Sequence, residues 1–157
     1  MFIADGHTPR PGGQDGDRIV KLSKDGTFIK SWGASKGAAH GEVSGPHRLA
    51  MDAQGRLFVA DRGNRRIEIF DQDGRYLDQW THLGSPSGLW IDKSDVLYVA
   101  VPGQDAGIRV ASAKDGSLIT VIRDTSPEVV VVDAEGKVYS GLVGGKDLQQ
   151  YASSRHR

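Results

Sequence analysis

Asp52-Ala-Gln-Gly-Arg-Leu-Phe-Val-Ala-Asp61 returns twice further along the chain, as Asp92-Lys-Ser-Asp-Val-Leu-Tyr-Val-Ala-Val101 and as Asp133-Ala-Glu-Gly-Lys-Val-Tyr-Ser-Gly-Leu142. From Asp52 to Asp92 is 40 residues, and from Asp92 to Asp133 is 41. Each copy opens on the Asp that ends an apolar strand, passes through a turn carrying Gly or Asp, and enters a second strand centred on Phe or Tyr. Phe2-Ile-Ala-Asp5 is a fourth copy of that second strand. A fixed period in this range marks a repeat architecture, in which each unit buries its apolar face only against its neighbours.

Outward from these segments the pattern holds. After Asp61 come the turn Arg62-Gly-Asn-Arg65, the strand Arg66-Ile-Glu-Ile-Phe70, the turn Asp71-Gln-Asp-Gly74 and the strand Arg75-Tyr-Leu-Asp-Gln-Trp80. Arg18-Ile-Val-Lys-Leu22 with Thr27-Phe-Ile-Lys-Ser-Trp32, and Gly107-Ile-Arg-Val-Ala111 with Ser117-Leu-Ile-Thr-Val-Ile122, repeat it around Asp-Gly. Period-two alternation punctuated by Asp-Gly is hairpin chemistry. Four short antiparallel strands per forty residues predict an all-β fold, a β-propeller of about four blades. One propeller segment, 1–157, divides into blades at about 1–33, 46–81, 86–123 and 127–152. The first lacks an inner strand and the last an outer one. The expectation is therefore an incomplete ring, or one completed by oligomerisation. Trp32, Trp80 and Trp90 read as packing between blades, and the strand-end aspartates as caps on the turn amides.

Composition narrows the function. Twenty basic and twenty acidic residues leave no net charge, which removes the general electrostatic case for nucleic acid or an anionic membrane. Arg62, Arg65 and Arg66 form a local basic cluster that reads either as a solvated loop or as a phosphate site. Without cysteine there is neither a disulfide nor a thiolate metal site. No apolar run reaches membrane-spanning length. Met1 leads straight into a strand and lacks the charged and apolar regions of a secretion signal, so the compartment stays open between a cytoplasmic protein and one whose N-terminus lies upstream.

The stretch from Asp61 to Phe70 followed by Asp-Gln-Asp-Gly resembles the NHL repeat. Read together, Phe2-Ile-Ala-Asp-Gly6, Arg18-Ile-Val-Lys21, Phe28-Ile-Lys-Ser-Trp-Gly33 and Gly45-Pro-His-Arg-Leu-Ala-Met-Asp52 resemble the lyase propeller of peptidylglycine α-amidating enzymes and its bacterial relatives. The resemblance implies a six-bladed ring whose zinc, held by three histidines, polarises a hydroxyglycine peptide for C–N cleavage, in proteins often secreted or periplasmic. By position it makes His47 the first zinc ligand, Arg18 the arginine that holds the substrate carboxylate, and the Leu49 carbonyl a ligand of a structural calcium. Imidazoles that leave zinc an open position, and a guanidinium that grips a carboxylate through paired hydrogen bonds, suit that chemistry.

The chain departs from the pattern where the other two zinc histidines belong. Those connections read Ser85-Pro-Ser-Gly-Leu89 and Ser126-Pro-Glu-Val-Val130. His7, His40, His82 and His156 have no metal-ligand spacing. His47 thus reads either as a channel-facing ligand or as a loop histidine bonded to a carbonyl, and Arg18 as a substrate group or a structural ion pair. Ser87 and Glu128, at the place His47 holds in its own blade, are the further binding candidates. Two functions compete: a lyase-like propeller that binds a small peptide or other ligand with an incomplete metal site (zinc, calcium), and a non-catalytic protein-interaction propeller. Turnover by this chain alone is not expected, and self-association is, since unpaired strand edges template pairing.

Overall fold

The computed structural model describes residues 1–6, 16–33, 37–123, 126–142, 144 and 147–151. Among these residues the regular structure is entirely β. Sheet one holds β1 (Phe2–Asp5), β2 (Arg18–Leu22) and β3 (Phe28–Trp32). The second is built from β4 (Pro46–Met51), β5 (Leu57–Asp61), β6 (Arg66–Phe70) and β7 (Tyr76–Trp80). The third has β8 (Gly88–Ile91), β9 (Val96–Val101), β10 (Gly107–Ser112) and β11 (Leu118–Ile122), and the fourth β12 (Pro127–Val132), β13 (Val138–Leu142) and β14 (Leu148–Tyr151). In every sheet consecutive strands are antiparallel neighbours, the meander of a propeller blade. Among the described residues the first and last sheets hold three strands and the middle two hold four.

The chain divides into two compact units, Met1–Pro86 and Ser87–Arg157. The first holds blades one and two. Alternation sends Leu57 and Val59 of β5 and Phe70 of β6 to one face, where they meet Ile19 of β2 and Val43 in a buried cluster with Phe2 and Trp32 against it. Trp32 lies edge-on to Phe2 and tilted on Phe70, with centroids 6.1 and 6.0 Å away, so it packs between two blades as expected. A Cβ on Gly74 would come within 2.6 Å of the Trp32 ring, which is why this turn carries glycine. Trp80 instead sits edge-on to Phe58 of its own sheet, at 5.5 Å. In the second unit Ala100, Ile108, Val130, Val132 and Val138 form the cluster between blades three and four, with Trp90 against it.

The turns explain the recurrent aspartate. Asp52 Oδ1 accepts the amides of Gln54 and Arg56 at 3.1 and 2.8 Å. Asp71 does the same for Asp73 and Arg75, Asp92 for Ser94 and Val96, and Asp133 for Glu135 and Lys137. In each turn the amide three residues on also donates to the aspartate carbonyl. Such a carboxylate satisfies amides that no strand partner reaches. The donor at that third position has positive φ: Gly55, Gly74 and Gly136 near 80°, and Asp95 at 57°.

Candidate functional site

His47 lies where β4 changes register. Pro46 pairs with Asp61 but Leu49 pairs with Val59, so β4 carries one extra residue at His47 and Arg48. β12 has the same irregularity: Pro127 pairs with Leu142 and Val129 with Gly141, which puts Glu128 in the bulge. A bulge breaks the ladder locally and re-aims a side chain, and bulges gather next to functional sites. The period placed these residues at equivalent positions, and the pairing shows what that position is.

The entry to β4 is pinned from both sides. The Ser44 amide donates to Asp61 Oδ1 at 2.7 Å, and the Gly45 amide to Asp17 Oδ2 at 2.7 Å. Both carboxylates are buried. A Cβ on Gly6 would lie 2.9 Å from the Pro46 carbonyl oxygen, so β1 and β4 approach closely at the same point. His47 is half-buried there, its Nε2 3.3 Å from Arg62 Nη1. A guanidinium only donates, so in this contact Nε2 is the acceptor. The Arg62 carbonyl accepts from Ser85 Oγ at 3.3 Å, while Arg48 and Arg65 are exposed.

Arg18 has a different neighbour. Its Nε donates to Asp5 Oδ2 at 2.9 Å, across the register pair Asp5–Arg18. The same pair in blade two is Asp61–Arg66, joined at 2.7 Å and almost wholly buried. By register, therefore, Arg18 is blade one's copy of Arg66, and the ion pair is its observed role. Arg66 also leaves the basic cluster read from sequence. Besides Asp61 it donates to the carbonyls of Ala38, Ala39 and Glu42 and to Gln79 Oε1, at 2.6 to 3.1 Å. Asn64 bridges Asp61 and the Gly37 carbonyl. Glu68 completes the set, its Oε1 accepting from the Gly41 amide at 2.8 Å.

This buried polar group was not anticipated. The signal was there, since Arg66, Glu68 and Phe70 share one face of an alternating strand, and a face that ends on a buried Phe70 buries the other two. Burial pushes the Glu68 carboxyl up to about 7, and Asp61 and Glu42 add to this against the opposing pull of the Gly41 amide and Arg66.

In the second unit Ser87 is buried at the start of β8, its amide donating to the Ala100 carbonyl at 2.9 Å. A Cβ on Gly88 would sit 2.9 Å from Val129 Cα and 3.0 Å from the Glu128 carbonyl oxygen. Glycine thus lets β8 and β12 lie side by side, bringing Ser87, just ahead of β8, near Glu128 of β12.

The zinc implied at His47 does not fit the residues around it. Arg62 sets a cation beside Nε2, one of the two ring nitrogens a metal could take, and among the described residues no group of three His, Cys, Asp or Glu side chains is placed to hold a metal ion. Exposed His40 stacks on Tyr76 at 4.5 Å, and His82 faces Trp80 at 6.4 Å. His7 and His156 lie outside the described residues. Leu49 is half-buried opposite Val59, with no such donor group beside it among the described residues.

The fold and its meander define the class, a β-propeller, and the WD40 β-propeller domain of Doa1 superposes on 88% of this chain with a TM-score of 0.63 at 18% identity, over 47% of that chain. Residues 44–70, which span β4 to β6 and the Asp61–Arg66 pair, match the NHL repeat. Residues 114–146 match the strictosidine synthase-like N-terminal family. Human NHL repeat-containing protein 3 is 32% identical over 166 residues, covering 96% of this chain and 46% of its own length. Peptidyl-glycine alpha-amidating monooxygenase A of Xenopus laevis is 37% identical over 87 residues, 52% of this chain and 9% of that protein. The chain spans about half the length of the NHL repeat-containing relatives it matches.

Proposed function

We propose that this propeller binds a peptide or protein partner at the mouth formed by the bulged start of β4, with His47, Arg48, Arg62 and Ser85 as the contacting groups. The observation that carries this reading is the His47–Arg62 pair at 3.3 Å in a half-buried bulge. It presents a guanidinium of the kind that takes a carboxylate. Neutral net charge favours a peptide over a nucleic acid. Ser87 and Glu128, close to one another beside Gly88, are the further candidates in the other unit. Titration calorimetry against a peptide array tests the assignment. Binding that weakens tenfold or more in Arg62→Ala supports it, and hits insensitive to both Arg62→Ala and His47→Ala reject it.

A lyase-like reading is favoured by the 37% identity to the amidating monooxygenase over the half of the chain covered there. On that reading His47 and the Leu49 carbonyl share zinc and calcium with further ligands from outside the described residues. Metal analysis of the purified protein decides: one zinc per ring, lost in His47→Ala, supports it, and metal-free protein ends it.

Self-association belongs to the same proposal. Val129, Val131 and Leu148 are exposed, at 39%, 37% and 73%, and the register sets Val129, Gly141 and Leu148 across one face of blade four. This is an apolar face of the kind blades bury against one another, and a second copy is the partner proposed for it. A mass by light scattering that stays monomeric at tens of micromolar concentration counts against this.

A further inference from the structure

Glu68 stands in the middle of β6, wholly buried between Ile67 and Ile69. Its two oxygens are treated differently. Oε1 accepts from Gly41 N and lies 3.3 Å from Arg66 Nη2. Oε2 is buried and has no hydrogen-bond partner. A carboxylate oxygen in that position loses its hydration with nothing in return.

The charged and titratable groups around it come from every neighbouring element. Asp61 faces it from β5, Arg66 from β6, Tyr76 from β7, and Glu42 from the segment that joins the two blades. His40 of that segment stacks on Tyr76. Arg66 already answers Asp61, so an ionised Glu68 adds negative charge that this set leaves unbalanced.

The segment joining the two blades is held to this polar group by its backbone. Gly37, Ala38, Ala39, Gly41, Glu42 and Ser44 are each tied to Asn64, Arg66, Glu68 or Asp61. One of those ties, the Gly41 amide, runs through Glu68 itself, whose other oxygen is buried without a partner.

We propose that Glu68 is a proton-operated latch on residues 37–44: neutral, it keeps the segment seated on blade two, and ionised, it favours conformers in which the segment lifts and Oε2 is hydrated. The segment runs directly into β4 and His47, so the latch lies beside the proposed mouth while standing on its own geometry. The high affinity of the buried carboxyl for its proton puts the changeover near neutral pH.

Amide hydrogen exchange on the intact chain at pH 5.5 and 8.5, corrected for intrinsic base catalysis, tests it. In the wild type the protection of the Gly41 amide should fall at least tenfold between the two, relative to amides of β9 and β10. In Glu68→Gln the loss should vanish. Equal protection at both pH values in the wild type overturns the proposal, as does a loss that persists in Glu68→Gln. Should that variant not fold, a carbon-13 titration of the Glu68 carboxyl takes its place. A midpoint near 7 that tracks the loss of protection supports the latch, and one at the ordinary glutamate value overturns it.

Discussion

Blades two and three are both four-stranded meanders with matching register, yet they are held by different chemistry. Asp61, Arg66 and Glu68 in blade two correspond by pairing to Val101, Gly107 and Arg109 in blade three. The first set is a buried ion cluster. The second is an apolar residue, a glycine and a half-buried arginine whose Nη1 donates to the Gly107 carbonyl at 3.3 Å. A blade therefore does not need the ion cluster to form. Arg66 spends three of its contacts on carbonyls between Ala38 and Glu42, so the cluster's task is to fix the connecting segment ahead of β4.

The sharpest way to break this comparison is Arg66→Met. It strips partners from three carbonyls and leaves Asp61 charged and buried, a loss of about 3–5 kcal/mol by thermal or urea denaturation. Arg109→Met removes blade three's own arginine, which stands at the place of Glu68 and has no buried carboxylate to answer, and should cost about 1 kcal/mol or less. Equal losses would mean that blade three relies on its arginine as much as blade two does.

Next in size is the pH response. Glu68 holds its proton more tightly in the folded chain than in the unfolded one, where its value is 4.5 against about 7. Its contribution is therefore complete below 4.5 and is lost as pH rises toward 7, about 3 kcal/mol at most. Glu68→Gln should flatten that slope. The turn aspartates act in the opposite sense. Asp71 is lowered chiefly by the Arg75 amide, and Asp133 by the Lys137 amide and the Tyr139 hydroxyl, which outweigh a burial effect that raises it. Their contribution is present above 3.8 and disappears in acid. Stability should thus peak between about pH 4 and 5, and a plateau extending through pH 7 would speak against the Glu68 assignment.

The smallest effects lie in the turns. Gly136 has φ of 82° with open space where a Cβ would stand, so Gly136→Ala tests backbone conformation alone and should cost about 1 kcal/mol. Asp95 occupies the same position in blade three at φ 57°, and Asp95→Gly should stabilise by about 0.5 kcal/mol. Opposite signs by denaturant titration would confirm that the two turns are one design with one imperfect copy.

Much of the fold was legible because the repeat is written in local chemistry. Asp before a turn, Gly at the positive-φ position and a Phe or Tyr at the strand centre recur within ten residues. The site was legible only as positions. His47, Ser87 and Glu128 were aligned by counting, but the bulges at His47 and Glu128 arise from pairing with β5 and β13. Arg62, Arg65 and Arg66 looked alike as neighbours in sequence. What separates them is reach: Arg66 finds carbonyls at Ala38, Ala39 and Glu42, some two dozen residues back, whereas Arg62 turns to His47. Long side chains meeting a distant connecting segment leave no periodic trace.

The aspartate turns carry a kinetic consequence. Every hydrogen bond that closes the turn at Asp52, Asp71, Asp92 or Asp133 lies within five consecutive residues. Loops that short close with little entropy, on timescales far below those of blade assembly. The hairpins β4–β5, β6–β7, β8–β9 and β12–β13 thus have a nucleus that needs no distant partner, while docking of residues 37–44 onto Arg66 must wait for the whole of blade two. Folding should run from turns to hairpins to blades, with the connecting segment arriving last.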